Sequence, residues 1–107
     1  MPKVSVSISA PSGLHFGDTF TPTYTAPALK PGLLLWAMCV CTVDGTVVYR
    51  QELSLDGKVG GNVRPFTLGP TPSWSSGPAH GALQLYTTNQ YGEKPRTLAS
   101  ATFEVAG

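Results

Sequence analysis

The sequence predicts an all-β fold, an antiparallel sandwich of about seven strands. Apolar and polar residues alternate with a period of two over most of the chain. Clusters rich in Gly and Pro punctuate that alternation at short intervals, and no segment has the periodicity of an amphipathic helix. At 107 residues the chain suits a single domain, residues 1–107, able to build a modest core without metal or disulfide support.

Val4, Val6 and Ile8 alternate with Lys3, Ser5, Ser7 and Ser9, which predicts a half-buried first strand that PSGLHFG then interrupts. From Asp18 to Thr25, Phe20, Pro22 and Tyr24 oppose Thr19, Thr21 and Thr23. Pro22 inside that run predicts an edge position or a bulge. PALKPG is a turn cluster leading into LLLWAMCVCTV, the most apolar segment. Its flanks, Pro31-Gly32 and Asp44-Gly45, make it a strand over 33–43 rather than a helix. Asp44-Gly45 supplies the positive φ angles of a two-residue turn to a partner at about 46–55. SLDGKVGGN reads as a polar loop, Val63 to Leu68 as a short strand interrupted by Pro65, and 80–88 as the next strand. NQYGEKPR is a hairpin-like turn. TLASATFEV closes the domain with Ala99, Ala101, Phe103 and Val105 on one face.

Composition excludes several functions. Charged residues are 12% of the chain, about half the usual share, and the net charge is +1, so there is no electrostatic footprint for nucleic acid or an anionic membrane. GLLLWAMCVC is too short to span a bilayer. MPKVSVSISAPSG shows no signal peptide, which predicts synthesis and retention in a cytosol, although the composition suits an exterior β-domain. A virion component released by lysis reconciles the two, as does loss of a leader or of a larger parent chain. Cys39 and Cys41 would stand roughly 6.5–7 Å apart on a strand. A bridge between them would be strained, so two reduced, packed thiols are expected.

The segment TPSWSSGPAHGALQLY, residues 71–86, offers two readings. Ser73, Ser75 and Ser76 near His80 suggest a nucleophile and base. No G-x-S-x-G elbow accompanies them, and no carboxylate lies nearby in sequence to orient His80. The structural reading is preferred: a corner crossing between sheets, covered by Trp74. In an immunoglobulin-type alignment His80 takes the place of the corner tyrosine and Ala82 that of the second bridging cysteine. Trp36 then falls where such domains bury a Trp. Trp36, Trp74, His80 and Phe103 are thus expected as corner or core residues, His80 either as a corner anchor or as an exposed residue at the start of a strand, with no catalytic residue and no cofactor. The C-x-C pair with remote His15 and His80 lacks zinc-site spacing. On 33–43, Leu34, Trp36, Met38 and Val40 share one face, and Leu35, Ala37, Cys39, Cys41 and Val43 the other. With both faces apolar, one is covered by a loop or meets a protein partner. Tyr49, Tyr86 and Tyr91 are read as surface aromatics.

The segments FGDTFTPTY (16–24), WAMCVCTVDGTVVY (36–49), LGPTPSWSSGPAHGALQLY (68–86) and LASATFEVAG (98–107), in this order and spacing, resemble the small immunoglobulin-like structural proteins of tailed bacteriophages, especially those of actinobacterial hosts. The resemblance implies a virion protein without enzyme activity, most simply a capsid decoration protein on the outside of the head. Its partner would be the major capsid protein or another virion protein. A tail tube or tail tip location is the alternative, as is a module that binds host-surface glycans through Trp74 and the tyrosines. Oligomeric state is left open.

Overall fold

The computed structural model describes residues 6–26, 30–55, 60–62 and 65–107. Within them the chain is all-β, with ten strand segments and no helix. They are β1 (Ser7–Ser9), β2 (Leu14–His15), β3 (Thr19–Phe20), β4 (Thr23–Thr25), β5 (Leu33–Val43), β6 (Thr46–Ser54), β7 (Gly60–Asn62), β8 (Phe66–Thr67), β9 (Ala79–Asn89) and β10 (Arg96–Ala106). The large sheet has the order β2-β10-β9-β5-β6. Facing it are a three-stranded ladder, β1-β4-β7, and the short pair β3-β8. Every pairing is antiparallel except that of β2 with β10.

The core joins the two layers. Ile8, Phe20, Tyr24 and Phe66 from the smaller layer belong to one buried cluster with Leu35, Ala37, Cys39, Cys41, Leu83, Leu85, Phe103 and Val105 from the large sheet. Phe20 lies 5.9 Å from Phe66 within its own layer and 5.3 Å from Phe103 across the core. The inward side chains of β5 are mostly small, and that leaves volume for these rings. Close packing of this kind is the principal stabilising term.

Two local features explain why the chain follows this path. Asp44 and Gly45 both adopt positive φ, at 51° and 80°, so the β5–β6 hairpin turns where the Asp-Gly pair predicts. Gly81 is required by a neighbour: a Cβ there would lie 2.2 Å from the ring of Phe103. The aromatic ring occupies the space that any other residue would fill.

The predicted elements recur with specific differences. The 33–43 and 46–55 strands match β5 and β6, and the last two predicted strands match β9 and β10. The predicted 18–25 strand is divided at Pro22, and pairing register differs by one residue across the division. Because β4 is central in its ladder, Pro22 marks an irregularity and not an edge. PSGLHFG does more than interrupt the first strand. It carries β2, which moves the chain from one layer to the other and pairs with β10. Within the predicted polar loop, 60–62 forms β7 and pairs with β4. The expectations for residues 3–5, for 27–29 of the PALKPG turn, for 56–59 and for 63–64 lie outside the described residues.

Candidate functional site

The candidate site is the outer face of the large sheet, and it begins with a question of parity. On β5 the inward residues are Leu35, Ala37, Cys39 and Cys41, all fully buried, so Leu34, Trp36, Met38 and Val40 point outward. Trp36 is therefore not the core residue that the immunoglobulin alignment predicts. Successive strand residues alternate faces, so an alignment displaced by one residue exchanges the faces. The same displacement affects β9. There Ala79, Gly81, Leu83 and Leu85 turn inward, whereas His80 and Ala82 turn outward.

Cross-strand register assembles the outward residues into rows. Trp36 stands between Ser54 on β6 and Tyr86 on β9, and Tyr86 is opposite Thr97 on β10. Met38 stands between Glu52 and Gln84. The rings of Trp36 and Tyr86 stack with centroids 6.5 Å apart and planes 13° from parallel. Trp36 Nε1 donates to Thr88 Oγ1 at 2.8 Å, and the Tyr86 hydroxyl donates to Glu52 Oε2 at 2.7 Å. Arg50 forms an ion pair with Glu52 at 2.6 Å. Burial, followed by the hydrogen bond to Glu52 and its charge, raises the Tyr86 hydroxyl well above the ordinary tyrosine range.

Together these side chains line a groove of about 480 Å³. The β9–β10 turn reaches over one side through Gly92 and Pro95. That turn is braced by Asn89, whose Oδ1 accepts from the backbone N–H groups of Tyr91 and Glu93 at 2.9 Å each. At the groove's end of the sheet Leu33 and Leu34 remain 39% and 37% exposed. The groove thus sets the aromatic and apolar surface of Trp36, Met38 and Tyr86 beside polar groups held in place by hydrogen bonds, and its mouth faces solvent. Such a surface suits docking of a partner.

At the other end of the same face lies the Ser/His combination. Ser76, His80 and Asp44 line one depression of about 420 Å³. His80 Nδ1 donates to the Glu104 carboxylate at 2.7 Å, a pairing that β9–β10 register produces and that sequence proximity does not reveal. Ser76 makes no hydrogen bond to His80. Both members of the His80–Glu104 pair are about three-quarters exposed, which makes it a solvated surface pair. His80 accordingly stands at the start of a strand, facing outward, and does not anchor the corner. Among the described residues no three His, Cys, Asp or Glu side chains gather as metal ligands.

The corner residue is Trp74. It is 2% exposed, and its Nε1 donates to the carbonyl of Gly77 at 3.0 Å. Its ring meets Phe16 edge-on at 5.0 Å and Tyr49 at 6.5 Å. Thr71 and Trp74 exchange backbone hydrogen bonds of 2.9 and 3.1 Å, and Thr71 Oγ1 donates to the Val48 carbonyl at 2.6 Å. This closes the end of the sandwich and leaves Trp74 no free face for a sugar. Tyr49 and Tyr86 are likewise buried, contrary to their reading as surface aromatics; only Tyr91 is widely exposed, at 75%. Burial pushes the Tyr49 hydroxyl up to about 12. Cys39 and Cys41 are buried free thiols; the hydrogen bond between them, then burial, raises Cys39 well above the usual thiol range.

In comparisons with protein-family models, curated proteins and solved structures, the chain matches none.

Proposed function

We propose that this chain is a non-enzymatic virion structural protein, a decoration protein that docks on the outside of a phage head through the outer face of its large sheet. One observation carries the reading: the aromatic groove of Trp36, Met38 and Tyr86, with Leu34 beside it, is held open on that face. The strand order supports it as well. The pair β4-β7 corresponds to B and E of an immunoglobulin-like sandwich, β5-β9-β10 to C, F and G, and β6 to an added strand beside C. The sequence resemblance supplies the setting, a virion assembled in a host cytoplasm, with the major capsid protein as partner. On a lattice, repeated sites make a modest contact sufficient.

The test is quantitative mass spectrometry of purified particles, counting this chain against the major shell protein. A count equal to the shell subunit, or a fixed fraction of it, is expected. A few copies per particle would transfer the chain to the tail, and absence would overturn the virion reading.

A second reading has its own observation. A half-buried indole with Gln84, Glu52, Arg50 and Thr88 around it is also a platform for a sugar ring. Glycan binding would then depend on Trp36, in place of the Trp74 that the sequence suggests. Titration with host-surface oligosaccharides, using Trp36→Ala as control, separates the two readings.

A further inference from the structure

The free edge of the large sheet carries a pattern that fits a second copy of this chain. Among the described residues β6 is an edge strand, and its register with β5 sets Leu53, Gln51 and Tyr49 opposite Ala37, Cys39 and Cys41. One residue further, the N–H of Leu55 donates to the carbonyl of Leu35 at 2.9 Å. Hydrogen-bonded pairs recur at every second residue of an antiparallel ladder. Leu55, Leu53, Gln51 and Tyr49 therefore direct their backbone groups at β5, while Arg50, Glu52 and Ser54 direct theirs at the open edge. Above this strip the edge closes. Register slips between Cys41 and Thr42, leaving Val48 as the extra bulged residue, and its carbonyl is taken by Thr71.

An open edge is a template for another strand, and charged side chains ordinarily blunt it. Here the two charges are of opposite sign, two residues apart and on one face. Consider two such strips meeting antiparallel about a two-fold axis through Gln51. Arg50 of each copy then faces Glu52 of the other, and this happens twice. All four residues point their backbone groups at the junction, so both opposed pairs are hydrogen-bonded pairs. The neighbouring registers that keep the backbone alternation bring Arg50 opposite Arg50, or Glu52 opposite Glu52. Like charges directly opposite are destabilising. One register among the three is self-complementary, as an isologous contact requires.

We propose that this chain self-associates through Arg50–Glu52, a second copy adding its β6 to the first in the antiparallel register centred on Gln51. Two five-stranded sheets become one continuous sheet. A two-fold axis perpendicular to the sheet keeps outer face with outer face, so two Trp36–Tyr86 grooves stand side by side. The proposal is independent of what the grooves bind.

Sedimentation equilibrium of the purified chain and two charge reversals tests it. The wild type is expected to show a concentration-dependent monomer–dimer equilibrium. Arg50→Glu and Glu52→Arg each set like charges opposite one another twice, which weakens the dimer by about tenfold or more. Mixed in equal amounts the two variants are expected to pair with each other, because every position then meets an opposite charge. Circular dichroism confirms that each variant is folded. Should a reversal fail to fold, Glu52→Pro replaces it: that N–H faces the open edge, so the β5–β6 ladder survives and the dimer is lost. A wild type that stays monomeric up to millimolar concentration would overturn the proposal. So would a dimer indifferent to both reversals, or folded variants that do not associate when mixed.

Discussion

The two tryptophans are the same residue type put to opposite uses. Trp74 is sealed at the end of the sandwich, its indole N–H satisfied by Gly77 and its ring held between Phe16 and Tyr49. Trp36 lies across the outer face of the large sheet, half-buried by its strand neighbours and hydrogen-bonded to Thr88. A buried indole stabilises mainly through the area and packing it removes from water. A partly exposed one on an open face retains apolar area for a partner to cover. The first Trp holds the fold together and the second gives it a surface to present.

Substitutions should separate these roles, and the largest effect is expected at the corner. Trp74→Ala removes a fully packed ring and should cost about 3–5 kcal/mol in denaturant unfolding, enough to unfold a marginal domain. Next comes Gly81→Ala, whose new methyl group meets the Phe103 ring; about 1–3 kcal/mol is expected from thermal melts. Combined with Phe103→Leu, Gly81→Ala should cost less than it does alone, since the two positions share one volume.

The Tyr49 hydroxyl gives a pH prediction on the buried side of the comparison. Its folded value is raised to about 12 from the ordinary tyrosine value of 10.0, so the folded state holds the proton more tightly than the unfolded one. The stabilisation is complete below the unfolded value and is lost as pH rises through the folded value. Unfolding free energy should therefore fall across that alkaline window, by on the order of 2 kcal/mol. Denaturant titrations at stepped pH, beside Tyr49→Phe in which the decline is reduced, check it.

On the outer face the effects on stability should be small. Trp36→Ala forfeits one stacked pair and one hydrogen bond, and about 1–2 kcal/mol is expected in the same unfolding assay. His80→Ala, which breaks an exposed pair, should stay within about 0.5 kcal/mol and leave docking unchanged. A loss at Trp36 as large as that at Trp74 would erase the distinction between the two residues.

Much of the architecture could be read from the sequence because turn chemistry is local. Asp44-Gly45 specifies its own hairpin, and alternation along 33–43, 46–55, 80–88 and 97–105 marks the long strands of the large sheet. What alternation alone could not supply was which face of β5 turns inward. Both faces of β5 are apolar, so alternation alone is symmetric between Leu34, Trp36, Met38, Val40 and Leu35, Ala37, Cys39, Cys41. Side-chain volume breaks the symmetry: the small set faces in, where Phe20, Phe66 and Phe103 fill the space. The bulky set, left outside, makes the groove. The sequence contained that signal, but the expectation that a mid-strand Trp is buried obscured it. The His80–Glu104 pair and the Arg50–Glu52–Tyr86 network were hidden for a different reason. They depend on register between strands distant in sequence, which no local pattern encodes.

The most direct test of the docking face is cosedimentation of wild-type chain and Trp36→Ala with phage heads stripped of this chain. The wild type is expected to pellet with the heads, and Trp36→Ala, verified as folded, to stay in the supernatant. A folded Trp36→Ala that pellets as well as the wild type, or a wild type that does not pellet, would contradict it.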